Sequence, residues 1–491
     1  MPSNFSITLA RSERIVASTH WPPDLFAALV DALAIDRVWQ SVQSKFISPD
    51  RSPVALSDEE AQLRAEVAHV KANKTEWKVS TRFIEMASAA LTSLRAAIVS
   101  DPVRIDEIER AARRITFLAR AIDAEALELS LENGSLTADK FQIALDLFSS
   151  RGTFTKLATG KVIPGAARST YGNAPDKFFS NLLRVDSKSC AYVDYTPIPT
   201  IRRKSASSPI SIGFVPAVLN RDELKWGKKN GFFTVRLNSK KESRVINRTI
   251  EALDWLSSMH ADVVIIPELV SSTRLRRCVS EWLRYRAANP PMLVICGSEA
   301  VRSASSTGYT NRAFVLGSSG RELWTQDKHH QYWLTEQDIL RYKLQRYVGR
   351  KMLNEIGASV ETRVAVRDFR GFGRVCLLVC EDFNRSIPGP STIRTFGVDM
   401  AIVIVMDKKF DPEGWRKTAA VSCANDVGTR VAIANSRGLV SRQDVDPLWP
   451  ESAPDLAYMC FPIRQDPPVE IWPKGALSKC KALLIAPSSK L

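Results

Sequence analysis

Hydrophobic positions along the chain change period near residue 209. Before residue 150 they recur at helical spacing: Phe83, Met86, Ala90, Leu94 and Ile98 form one stripe behind Ser80, a residue suited to an N-cap. Ile105, Ile108, Ala112, Ile115, Ala119 and Ile122 form a second, opened by Asp101-Pro102 and closed by Asn133-Gly134. Ser57-Asp-Glu-Glu60 predicts another capped helix, and residues 136–148 a short one. None of these segments gathers reactive residue types, so residues 1–150 are expected to be a helical interaction or oligomerisation domain. From 151 to 208 the pattern dissolves into Gly, Ser, Thr, Pro and basic residues, ending in Arg202-Arg-Lys-Ser-Ala-Ser-Ser208, which predicts a basic connector.

Beyond 209, short apolar runs alternate with helical stripes. Strands are expected at 209–214, 261–266, 292–296, 400–406 and 430–434, and helices at 243–259, 275–288 and 413–426. Residues 311–316 and 322–326 predict a hairpin across Gly317-Ser-Ser-Gly320. Such alternation argues an α/β fold class for 209–491. Its focus is the run Val375 to Val379, uncharged and too short for a helix, hence a central strand covered on both faces. The run ends at Cys380 and turns acidic at Glu381-Asp382. A cysteine at the carboxyl end of such a strand stands where ligands bind in α/β sheets, with the Glu381 amide beside it to receive an oxyanion. The competing reading is a core cysteine, because free cysteine is among the most buried residue types. Cys376 shares the strand face of Cys380 at a period of two, but lies inside the run and is expected in the core.

Composition narrows the class. At 491 residues two domains are expected, and 45% hydrophobic with 25% charged residues is ordinary for a globular protein. No apolar run approaches the roughly 18 residues of a membrane helix, so no membrane partner is expected. Eight cysteines without a C-x-x-C pair, and an amino terminus without a signal pattern, point to a reduced, cytoplasmic protein. Five histidines, of which only 329 and 330 are close, lack metal-ligand spacing, and no G-x-S-x-G elbow occurs. Thr159-Gly160-Lys161 lacks the earlier glycine and following hydroxyl of a phosphate loop. Neither a metal nor another cofactor is expected. The net charge of +15 is uneven, with 17 basic against 21 acidic residues in 1–150, 10 against 3 in 151–208, and 41 against 29 beyond. The surplus suggests an anionic ligand or a solvated basic surface.

Three expected strand ends each present one reactive group: Glu268 after Asp262-Val-Val-Ile-Ile-Pro, Lys328 after Leu323-Trp-Thr-Gln-Asp, and Cys380. A base, a cation and a thiol are what amide hydrolysis by cysteine requires. With these residues in this order the chain resembles the nitrilase, or carbon–nitrogen hydrolase, superfamily over about 209–490. The glutamate motif reads Ala261-Asp-Val-Val-Ile-Ile-Pro-Glu268-Leu, the lysine region Thr310-Asn-Arg-Ala-Phe-Val-Leu-Gly317 and Lys328-His-His330, and the cysteine motif Cys380-Glu-Asp382. Phe396-Gly-Val-Asp399 and Ala432-Ile-Ala-Asn435-Ser-Arg-Gly438 follow. The resemblance implies an α-β-β-α sandwich, a Glu268–Lys328–Cys380 triad, and Glu336 as a second glutamate that orients the lysine or the attacking water. It implies a hydrolase of a non-peptide carbon–nitrogen bond, in an amide or a nitrile, acting through a thioester on Cys380. After Gly438 the chain departs from the family, with Trp449-Pro450 and Pro467-Pro468 interrupting the usual return.

Arg341, Lys343, Arg346, Arg350 and Lys351 follow Glu336 with only Asp338 acidic, and Lys343, Arg346 and Arg350 would share one face of a helix. Arg341, Lys343 and Arg346 are thus expected as a cationic rim for an anionic substrate; the alternative is a solvated face packing Tyr342, Leu344 and Val348 inward. The patch could serve nucleic acid, but no aromatic-interleaved motif accompanies it. The expected partners are a small amide or nitrile and further copies of the same chain. The competing functional class is a non-enzymatic effector or scaffold, of the sort a defence system would use, with the helical domain binding a macromolecule.

Overall fold

The computed structural model describes residues 4–20, 22–35, 38, 79–100, 103–131, 161–164, 182–185, 193–198, 210–229, 232–302, 309–355, 363–369, 373–407, 415–439, 457–460 and 482–484. The chain divides into two compact units, Met1–Ala191 and Tyr192–Leu491. The first contains helices α1 (Asn4–Ser18), α2 (Pro22–Leu33), α3 (Thr81–Val99) and α4 (Ile105–Leu131). The Ser80 hydroxyl caps α3 by accepting from the Phe83 amide at 3.0 Å. Phe83, Ala90, Leu94 and Ile98 of α3 and Ile108 to Ile122 of α4 meet Leu9, Phe26 and Leu29 in one apolar core. Each helix therefore buries the stripe that water would not solvate. Ile105, at the very start of α4, is exposed instead. None of the described helices is long and apolar enough to cross a membrane.

The same unit holds an antiparallel pair, β1 (Lys161–Pro164) and β2 (Leu182–Val185), within the expected connector. The expected helices at 57–60 and 136–148, the basic run 202–208, and the Trp449-Pro450 and Pro467-Pro468 segments lie outside the described residues.

The second unit follows the order β3 (Val193–Ile198), β4 (Ser211–Phe214), β5 (Leu224–Lys229), β6 (Phe232–Leu237), α5 (Glu242–Ser258), β7 (Val263–Ile266), α6 (Thr273–Tyr285), β8 (Leu293–Arg302), β9 (Tyr309–Gly317), β10 (Glu322–Asp327), β11 (Trp333–Leu334), α7 (Glu336–Arg341), α8 (Gln345–Val348) and β12 (Leu353–Glu355). It continues with β13 (Val364–Phe369), β14 (Gly373–Val379), α9 (Glu381–Asn384), α10 (Gly389–Phe396), β15 (Met400–Met406), α11 (Trp415–Val427), β16 (Arg430–Ser436), β17 (Ala457–Cys460) and β18 (Ala482–Leu484). Two six-stranded sheets result, in the orders β10-β9-β8-β7-β4-β18 and β17-β16-β15-β14-β13-β3, with a smaller sheet β11-β12-β6-β5. The centres of both large sheets are parallel: β4, β7 and β8 in one, and β14, β15 and β16 in the other. Those strands are the uninterrupted apolar runs, because a parallel strand covered on both faces has no polar side. The large sheets touch where Trp324 of β10 meets Phe369 of β13 at 5.9 Å between ring centroids, and where the Gln326 side chain accepts from the Ala365 amide at 2.8 Å.

Strand β3 corrects the expected connector, since it pairs in parallel with β13 as an edge strand of the second sheet. Val193 and Tyr195 are buried, and the Tyr195 hydroxyl donates to Asp368 at 2.7 Å. Asp368 in turn accepts from the fully buried Arg374 at 2.8 Å. Truncation to begin at residue 205 is therefore expected to lower the melting temperature relative to a chain beginning at 192. Losing two buried side chains costs about 3–6 kcal/mol, a drop on the order of 5–15 °C for a unit of this size. Equal melting temperatures for the two truncations would show that β3 contributes nothing to the sheet.

Candidate active site

Five strand ends of the second unit converge on one cleft. Its lining includes Glu268, Lys328, Glu355, Cys380 and Asp407, with Trp226, Phe233, Tyr332 and Tyr342 among the apolar and aromatic walls. The space between these atoms, open solvent at the mouth included, is about 480 Å³.

Glu268 leaves the end of β7 through Pro267. A bulge in the neighbouring strand β8 makes room, and Gly297 in that bulge has φ +69°, where a Cβ would stand 2.4 Å from the Pro267 carbonyl oxygen. Only glycine permits that approach. The Ser298 hydroxyl then accepts from the Leu269 amide at 3.0 Å and fixes the turn beyond Glu268. Lys328 follows β10, its amide donating to the Asn311 carbonyl at 2.9 Å. Its ammonium donates to Glu268 Oε1 at 3.0 Å and to Glu355 Oε2 at 2.6 Å. Asn311 bridges the same two carboxylates through Nδ2, at 2.9 Å to Glu268 and 2.8 Å to Glu355. Cys380 directly follows β14, with its amide bonded to the Ile404 carbonyl of β15 and φ at +50°. A non-glycine residue in that region is strained and persists only where its surroundings hold it. Here the thiol lies at the turn from β14 into α9, lining the same cleft as Glu268 and lowering its carboxyl.

The two catalytic-looking turns are locked together by Asp382, which is almost wholly buried. It accepts from the His329 amide at 3.0 Å and the His330 amide at 2.8 Å, so the residue two beyond the cysteine fixes the two residues after the lysine. Burial lowers the His329 imidazole below its ordinary pKa and keeps the ring neutral.

The electrostatics follow from burial of both signs together. Burial raises the Glu268 carboxyl, against the lowering effect of Lys328, while nearby Glu355 raises it further. Burial would lower Lys328, but Glu268, Glu355 and Cys380 hold it well above the ordinary lysine value, so it remains an ammonium. The arrangement supplies a thiol, a carboxyl able to take and return its proton, and a fixed cation, all shielded from bulk water.

Of the residues singled out from sequence, Glu268, Lys328 and Cys380 are brought together, and Glu381 adjoins them as the first residue of α9, its side chain paired with Arg385 at 2.9 Å. Glu336 is placed elsewhere. It is an exposed first-turn residue of α7, capped by Thr335, and the second carboxylate on the lysine is Glu355. The expected basic face also breaks up, because Lys343 has φ +53° and separates α7 from the short α8. Arg341, Lys343 and Arg346 are exposed and outside the cleft lining, while Tyr342, Leu344 and Val348 are buried. Sequence reasoning missed Glu355, Asn311 and Asp407. The available signal for Glu355 was alternation, since Leu353 and Glu355 point inward around Asn354.

No family model matches this chain, and no curated protein does. Solved structures similar to it include an amidase from Nesterenkonia sp. at 14% identity and TM-score 0.33, covering 48% of this chain and 78% of that one. Another is a double mutant of the amidase from Nesterenkonia sp. AN1 in complex with acrylamide, at 13% identity and TM-score 0.37, covering 59% and 95%. A third is a cysteine mutant of Nesterenkonia AN1 amidase, described as from the nitrilase superfamily, at 13% identity and TM-score 0.33, covering 48% and 78%.

Proposed function

We propose that this chain is a cysteine-dependent hydrolase of a small amide or nitrile, built as an α-β-β-α sandwich and acting through a thioester on Cys380. The observation that carries the reading is the buried cluster in which the Lys328 ammonium bonds Glu268 and both line one cleft with Cys380. Two β-sheets in contact, each with a parallel centre, support the sandwich.

For an amide, Glu268 takes the thiol proton as sulfur attacks the carbonyl carbon and the C=O π pair moves onto oxygen. The Lys328 ammonium and the Glu381 amide stabilise that oxyanion. Glu268 then gives its proton to the departing nitrogen, the C–N bond breaks, and ammonia or an amine leaves a thioester. Water attacks the thioester, losing a proton to Glu268, and collapse releases the acid and the thiol. Glu355 and Asn311 act as positioning residues, holding Lys328 and Glu268 in register throughout.

The test is chemical trapping of the intermediate. The protein is mixed with a panel of short aliphatic amides and nitriles, quenched in acid, and weighed intact. An acyl adduct that maps to Cys380, with ammonia released in solution, is the expected result. Amide turnover without any adduct at Cys380, or an adduct on another cysteine, would overturn the assignment.

A further inference from the structure

One wall of the cleft is stitched together by a buried arginine that stands behind it. Trp226 of β5, Phe233 of β6, Tyr342, Met406 and Leu439 line the cleft and come from four separate stretches of chain. Arg221 opens a 3₁₀ turn, Arg221–Glu223, that runs directly into β5. It is buried, and its Nη2 donates to the Leu439 carbonyl at 2.7 Å while Nη1 donates to the Lys343 carbonyl at 3.3 Å. Leu439 is itself a lining residue, and Lys343 directly follows Tyr342. One guanidinium therefore ties the start of β5 to the α7–α8 junction, 122 residues away, and to the segment after β16, 218 residues away.

Both ends of this tie are built to hold position. The turn that carries Arg221 is anchored by the buried Glu223, which accepts from the Leu219 amide at 2.8 Å and from Arg248 of α5 at 2.8 Å. At the far end, Lys343 is the φ +53° residue between α7 and α8, and a strained residue of this kind persists only where its surroundings hold it. The Arg221 bond to its carbonyl supplies a hold, with Lys343 exposed between buried Tyr342 and Leu344. Packing closes the same wall. Gly438 lies so near Leu224 and Met406 that a Cβ there would collide with the ends of both side chains. Trp226 stacks with Phe233 at 6.4 Å between centroids, and both share one apolar core with Leu334, Tyr342 and Leu439. Apolar packing is non-directional, whereas the planar fork of an arginine sets the spacing of the carbonyls it bridges, which the compact ammonium of a lysine does not.

We propose that Arg221 is a positioning residue for specificity: it holds Tyr342 and Leu439 in place beside Trp226 and Phe233, and the wall so fixed receives an uncharged, apolar acyl group of the substrate. This rests on the hydrolase reading above and deepens it by naming the acyl class.

Binding to the Cys380→Ala protein, measured by calorimetry, reads the wall without requiring turnover. The probes are acetamide, hexanamide and phenylacetamide, with 6-aminohexanamide and the monoamide of succinic acid as the charged arms. Hexanamide and phenylacetamide are expected to bind about 10–100-fold more tightly than acetamide, within a ceiling of about fourfold for each buried methylene. Adding Arg221→Lys should shrink that preference to about threefold or less, because a wall that shifts by a fraction of an ångström to an ångström forfeits much of its contact. Gly438→Ala disturbs the same wall from the packing side, against the ends of flexible side chains that can give way, and should also shrink it. A merely structural arginine would lower the melting temperature and leave the preference of the folded protein unchanged. The proposal is overturned if acetamide binds as well as the larger amides, if either charged amide binds best, or if whichever of the two variants folds keeps the parental preference. A preference that is present while the trapping experiment finds no adduct would leave the apolar site standing and remove only the hydrolase.

Discussion

Replacing Cys380 by alanine is expected to lower amide or nitrile turnover by about 10⁴–10⁶-fold, the range seen when the nucleophile of a concerted triad is removed, while the melting temperature stays near that of the parent. The thiol is the reacting atom, and nothing else at the β14 edge replaces it: Glu268 and Glu355 are committed to Lys328, and Asp382 to the backbone of His329 and His330. Relief of the φ +50° strain is small for an alanine that keeps the same backbone. Cys376→Ser is the informative companion. Cys376 is fully buried inside β14, and burial pushes its thiol far above the ordinary value, so it takes no part as a thiolate. Its hydroxyl replacement should cost about 1–3 kcal/mol in stability for a buried polar group and leave turnover per folded molecule nearly intact. Substrate-dependent ammonia release, normalised to folded protein, separates the two. If the pattern were reversed, with Cys376→Ser silent in the melt and Cys380→Ala still active, the roles assigned along β14 would be wrong.

The parts of this molecule legible in sequence are those whose environment is set locally by burial. The runs that became β7, β14, β15 and β16 are apolar because both faces of a central parallel strand are covered, and each shows plainly against its neighbours. The reactive residues at their ends were legible for the same reason, because a polar residue directly after an apolar run marks a sheet edge. Glu355 belongs to a different case. It ends a three-residue strand held between the two-residue β11 and β6, and β6 is more than a hundred residues away. The family resemblance instead pointed to Glu336, which stands in the capped first turn of α7, where an acidic residue complements the helix dipole. Strand β5 buries Leu224 and Trp226 but carries lysines between and after them, and β3 sits in a segment rich in proline and basic residues. Both are edge strands of their sheets, so solvent on one side blurs the pattern. Asp407 was hidden because nothing in a sequence says which residue after β15 turns toward a cleft.

Lys328→Met should separate the roles of the two glutamates. Loss of an oxyanion donor alone costs about 10²–10³-fold in kcat, and here the same ammonium also holds Glu268 toward Cys380, so a loss at or beyond the upper end is expected. Stability should fall too, with a pH dependence of defined sign. Without Lys328 the buried Glu268 and Glu355 face one another with no cation between them, and the lowering effect of the lysine on Glu268 disappears. The Glu268 carboxyl then rises further above its unfolded value. A carboxyl raised in the folded state stabilises the fold below its unfolded pKa, and that stabilisation is lost as pH climbs through the folded pKa. The melting temperature of Lys328→Met, taken relative to the parent, should therefore be closest near pH 5 and fall behind progressively toward pH 8. Glu355→Gln keeps the Glu268–Lys328 pair but loosens the lysine and Asn311, so a smaller loss of kcat is expected, with rescue by Glu355→Asp at most partial because the shorter side chain withdraws from Lys328 Nζ. Glu336→Gln, on an exposed helix turn outside the cleft lining, should leave both kcat and KM within about twofold, as for surface changes worth under about 0.5 kcal/mol. Steady-state kinetics of the four variants, with melts across pH 5–8, decide the matter. A loss in Glu336→Gln equal to that in Glu355→Gln would return the second glutamate to α7 and undo the geometry assigned to Lys328.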